Sequence, residues 1–141
     1  MKLVIKLPVI ALSLAVSLLF SAAKADESIG YYCTVISAND RLSSSGKRLT
    51  NFEQIIRQDR ANFHQLNKRD DGDEEDDMFK TPEARANLEL YLSRGTTDPD
   101  TIRRILNGNP NGNQLFVAVS VWKKSNGTQY AKVGLYGNAN D

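Results

Sequence analysis

The chain has 141 residues, with 18 Lys and Arg, 17 Asp and Glu, one His and one Cys. At 40% hydrophobic and 25% charged residues it is too apolar for a disordered chain, and its length suits one core rather than two. A lone Cys excludes an internal disulfide framework and a multi-thiolate metal site, and a lone His excludes a multi-histidine centre within one chain.

Residues 1–25 read as a cleavable signal peptide. Lys2 and Lys6 form a basic start, Leu7 to Phe20 is an apolar run holding Pro8, and Ala23-Lys24-Ala25 fits the small-x-small pattern of a cleavage site. A membrane-spanning helix needs about 20 apolar residues, and this run is shorter. The expectation is cleavage after Ala25, a periplasmic or secreted protein, and no stable membrane anchor after cleavage.

Residues 26–141 read as a single globular domain. The first 25 residues hold three lysines and no acid, so the remainder carries 15 basic and 17 acidic side chains, a net charge of −2. This balance, and the lack of any nucleic-acid motif, argue against a nucleic-acid partner. The charge is unevenly spread. Asp70, Asp71, Asp73, Glu74, Glu75, Asp76 and Asp77 form one acidic loop, and the rest of the domain is mildly basic.

The first element, Ile29 to Ser37, alternates as a strand and is rich in β-branched and aromatic residues. Ala38 to Lys47 is turn-forming. Thr50-Asn51-Phe52-Glu53 has the form of a capping box with Thr50 as N-cap. The helix it opens carries Phe52, Ile55, Ile56, Phe63 and Leu66 at helical spacing and is expected to end near Asn67. A second helix starts at Thr81-Pro82, faces inward through Ala84, Leu88, Tyr91 and Leu92, and stops at Gly95. A third starts at Asp98-Pro99, carries Ile102, Ile105 and Leu106, and stops at Gly108.

Leu115 to Lys124 and Thr128 to Tyr136 read as a hairpin, joined by Asn126-Gly127 as a two-residue type I′ turn. That turn sets Val121 opposite Lys132 and Val119 opposite Gly134. It places Val117, Val119 and Val121 with Tyr130 and Tyr136 on one face, and Phe116 and Trp122 with Ala131 and Val133 on the other. A two-stranded ribbon is marginal alone, so the first strand is expected to join it. The fold class is α+β, in the order β-α-α-α-β-β, with a three-stranded antiparallel sheet and helices packed on one face.

Few residues suggest chemistry. Asp59 falls in the middle of the apolar arc of the first helix, which predicts a buried carboxylate with donors from the Ala38–Gly46 loop, Arg41 or Arg48. Buried carboxylates serve either acid–base chemistry or the pinning of a loop, and the second is the expectation here. His64 falls at the side of the helix. Arg57, Arg60, Lys68 and Arg69 gather beside the acids, where opposite charges neutralise one another. Cys33 reads as an inert core thiol. The acidic loop suits a hard cation such as calcium, yet it does not fit the EF-hand pattern and reads as a solvated segment.

These readings favour a small exported binding or interaction protein without catalysis. Its partner would be another protein or a second copy, docking on surplus apolar sheet surface around Phe116 and Trp122 or around Val117 and Tyr136. The acidic residues 70–77 are a second candidate binding surface. The alternatives are a small hydrolase-like enzyme using Asp59 and His64 with Arg57 or Arg60, and a calcium-responsive envelope protein. No other cofactor and no metal site is expected.

Overall fold

The computed structural model describes residues 23–137, so the expected signal peptide lies, but for residues 23–25, outside the described residues. The elements are β1 (Glu27–Val35), α1 (Phe52–His64), α2 (Pro82–Arg94), α3 (Pro99–Asn107), β2 (Phe116–Lys123) and β3 (Gln129–Leu135). The strands form one antiparallel sheet in the order β1-β2-β3, an α+β fold as the sequence predicts.

Local chemistry explains the helix bounds. Thr81 and Asp98 cap α2 and α3 with their side chains, and a proline follows each in the first turn. Gly108, at φ 91°, closes α3 in a conformation suited to glycine. On α1 the cap is Asn51 rather than Thr50, its side-chain oxygen accepting the Gln54 N–H at 3.2 Å. The helix stops at His64, short of Asn67, because the chain turns back there. Asn67 takes a left-handed φ of 52°, and the Lys68 N–H reaches the Asn62 carbonyl at 2.8 Å.

The hairpin corrects the predicted register. Lys124 accepts the Gly127 N–H and donates to the Thr128 carbonyl, both at 2.9 Å, and Gly127 sits at φ 87°. This is a three-residue loop closed by a left-handed glycine, not a two-residue type I′ turn. The register therefore moves by one, pairing Val119 with Val133 and Val121 with Ala131. A one-residue shift exchanges the faces of a strand. Val117, Val119, Val121, Ala131 and Val133 share the inner face, and Phe116, Trp122, Tyr130 and Tyr136 belong to the outer one. Val117 is fully buried and is no part of a docking surface.

The helices cover the inner face alone. The sheet valines pack with Ile55 and Ile56 of α1, Leu88 and Leu92 of α2 and Ile105 of α3. Gly95 crosses β3 so closely that a Cβ there would lie 1.7 Å from the Ala131 carbonyl oxygen. Both sheet edges are also covered. On β3, the Val133 N–H donates to Thr97 Oγ1 at 3.2 Å. The outer edge of β1 is closed by the segment between α1 and α2.

Candidate functional site

Asp59 is 1% exposed, as its place in the apolar arc of α1 predicts. Its partners are not Arg41, Arg48 or the 38–46 loop, but its neighbour Arg60 and Thr34 of β1. Arg60 is fully buried. Its Nε donates to Asp59 Oδ2 at 2.7 Å and its Nη2 to Thr34 Oγ1 at 2.8 Å. Its Nη1 donates to the Glu74 carbonyl at 2.9 Å and to Asp76 Oδ2 at 3.0 Å. The guanidinium also lies over the Tyr32 and Phe63 rings, at 4.3 and 4.6 Å from their centroids. One residue thus ties α1, β1 and the following segment together.

The protonation of this group follows from its contacts. Burial pushes the Asp59 carboxyl up to about 7, against the pull of Arg60, and the nearby Asp40 and Asp73 charges add to the rise. Thr34 Oγ1 lies 2.8 Å from Asp59 Oδ1 and 2.9 Å from Asp73 Oδ1. A hydroxyl has one proton, so both contacts are hydrogen bonds only when one acid is protonated. A protonated Asp59 donates to Thr34, which donates to Asp73.

His64 is not a surface residue. Its side chain is 6% exposed, and Nε2 lies 2.8 Å from Asp76 Oδ2. Asp76 also accepts the Phe79 N–H at 2.7 Å. Burial raises the Asp76 carboxyl, but the His64, Arg60 and Phe79 hydrogen bonds outweigh it and hold it below the usual range. Asp59 and His64 are joined through Arg60 and Asp76. Neither lines the depression beside Ser44, Gln58 and Arg85 or the one beside Arg41, Gly108 and Leu115. The arrangement pins the α1–α2 segment to the fold.

The acidic stretch is solvated only in part: Asp71, Glu74, Glu75 and Asp77 are exposed, whereas Asp70 and Asp73 are half-buried and Asp76 is buried. Residues 33 and 35 of β1 turn their amides to the free edge of the sheet, and carboxylates meet them. Glu74 Oε2 accepts the Cys33 N–H at 2.8 Å, and Asp73 Oδ1 accepts the Val35 N–H at 2.9 Å. Asp40 Oδ2 continues the series with the Ser37 N–H at 2.8 Å. In return, the Glu74 N–H donates to the Cys33 carbonyl at 2.9 Å. Exposed edge amides invite pairing with other chains, and the alternating carboxylates occupy them. Asp77 pairs with Lys80. Asp71 and Glu75 are exposed. Among the described residues no group of three or more His, Cys, Asp or Glu is arranged to hold a metal ion.

The outer sheet face holds the remaining candidates. Gly72 folds over Phe116 and Val35, where a Cβ would lie 2.8 Å from Phe116 Cε1. Cys33 is buried beside them. Beyond this cover, Tyr31 is 57% and Tyr136 51% exposed, with Trp122 half-buried across the face. Ala118, Ser120 and Gly134 form a low centre between these aromatics. The Cys33 contact, at 3.2 Å from the Tyr31 hydroxyl, helps push that phenol up to about 12. Tyr130 is raised by its bond to Asp26. Both phenols are neutral at physiological pH, and the charges beside Tyr130 are Lys124 and Lys132 over its ring and Asp26 at its hydroxyl.

The burial of Arg60 and the exposure of Tyr31 were not expected from the sequence. Arg60 lies one helical turn from Ile56 and beside Asp59, so the same helical spacing places it inside; its charge argued otherwise. Tyr31 alternates with buried residues but extends beyond the part of the face that Gly72 covers. No family model matches the chain, and comparisons with curated proteins and with solved structures give no match.

Proposed function

We propose that this protein is a small exported interaction module whose partner, another protein or a second copy of the chain, docks on the outer face of the sheet. The observation that carries this reading is the pair Tyr31 and Tyr136, both more than half exposed on a face without helices, beside Trp122 and Phe116. Tyr and Trp dominate the energetic centres of protein interfaces because they combine large apolar area with a polar tip. Export fits the start of the fold. Residues 23–28 are exposed and β1 begins at Glu27, so cleavage after Ala25 leaves the sheet whole. Asp26, the first residue after that cleavage, anchors to the Tyr130 hydroxyl at 2.7 Å.

Trp122 is the single tryptophan of the chain, so 5-fluorotryptophan places one fluorine probe on this face. Adding native cell-envelope extract should shift or broaden that resonance in a saturable way. A resonance unchanged at saturating extract would contradict the reading.

A further inference from the structure

A second feature lies away from the sheet face. Gln54, Gln58 and Ala61 of α1 and its C-cap Gln65 floor a depression of about 340 Å³ between that helix, Ser44 and the start of α2. Two guanidiniums border it. Arg57 is half-exposed and pairs with Glu89 at 2.8 Å.

Arg85 is 3% exposed. Its Nη1 donates to the carbonyls of Phe79 and Lys80 at 3.1 and 2.9 Å, and its Nη2 to Gln65 Oε1 at 2.7 Å. None of these acceptors is charged, and among the described residues no carboxylate lies within ion-pair distance of Arg85. A guanidinium has five N–H donors, so two are left without a protein partner among the described residues. Burying a cation without an ion-paired carboxylate is costly, and the more distant Glu83 and Asp76 charges only partly offset that cost. Burial and the like charge of Arg57 both push the Arg85 guanidinium below its ordinary range. The cost falls when an anion enters. The Gln54 side-chain amide, with no hydrogen bond to the described residues, adds a neutral donor. The volume matches the small end of ligand sites, about 300 Å³ upward.

We infer that this depression binds a small oxyanion, a carboxylate or phosphate group on a ligand of metabolite size, between Arg57 and Arg85. Guanidinium forks suit both groups. Glu89 competes for Arg57 and so sets the affinity.

The test is a titration of the purified protein with sodium phosphate and, separately, sodium citrate, at ionic strength held constant with sodium chloride and followed by amide NMR. Saturable shifts at Ser44, Gln54, Gln58, Gln65 and Arg85, with a Kd of about 1 mM or tighter, are expected for at least one anion, and which one identifies the group. Arg57→Gln should weaken binding about tenfold, the loss of one charge-assisted contact, whereas Glu89→Gln should tighten it. No saturable shift at these residues with either anion would overturn the inference. So would an affinity indifferent to both substitutions, or equal shifts from sodium chloride alone.

Discussion

Arg60 shows how one charge can organise an interior. It gives four hydrogen-bond partners to three parts of the chain and stacks on two rings. Its neighbour Asp59 is the better probe, since burial sets that carboxyl at about 7. The ordinary value is about 4, so between these two pH values the folded chain holds a proton that the unfolded chain releases. Stability from this group is then fully present below pH ~4, declines through the interval and is lost above pH ~7. Asparagine cannot titrate. Asp59→Asn should therefore cost about 2 kcal/mol at pH 5, and the gap to wild type should narrow as pH rises to 8, as read by urea unfolding at each pH. A gap that widens instead would mean that the Arg60 pair, not burial, governs the carboxyl. Helical spacing made Asp59 legible in the sequence. Its partner Thr34 was not, because a strand reaches it only through tertiary packing, as the irregular segment brings Asp76 to Arg60.

At the scale of elements, the α1–α2 segment is a strap along the edge of β1. Composition alone reads seven acids in residues 70–77 as solvated, because the sequence does not say which carboxylates will meet an amide. The fold divides them. Asp73 accepts from Val35 and Asp70 N–H groups and from Thr34, whereas Asp71 and Glu75 are exposed. Asp73→Ala should thus lower stability by about 1–3 kcal/mol, the cost of stranding buried donors, and should promote aggregation by opening the β1 edge. The paired substitution Asp71→Ala, Glu75→Ala should stay within about 0.5 kcal/mol of wild type. Equal effects from the two variants, read by thermal unfolding and light scattering, would mean that net charge rather than edge capping is at work. Helix positions were legible from caps, prolines and glycines. The hairpin register was not. Asn126-Gly127 serves either a two-residue turn or, as here, the end of a three-residue loop, and that single residue decides which side chains are buried.

Across the whole molecule, the three helices cover one side of the sheet, the carboxylate strap and Thr97 meet its two edges, and the outer face keeps Tyr31 and Tyr136 in solvent. The order of elements and the sidedness of the sheet were legible in the sequence; which aromatics lie outside was not, since the predicted register divided Phe116 and Trp122 from Tyr136. Reversing the charge of residues 70–77 would remove Asp73, Glu74 and Asp76 and so disturb the fold, which makes it a poor probe of binding. Tyr31→Ser with Tyr136→Ser removes exposed aromatic area and leaves the core untouched. The deciding measurement is affinity capture from the native cell envelope with wild type and this double variant, after both are shown to melt at the same temperature. One stoichiometric species should be held by the wild type and lost from the variant. A species held equally by both, or none above background with the wild type, would contradict it.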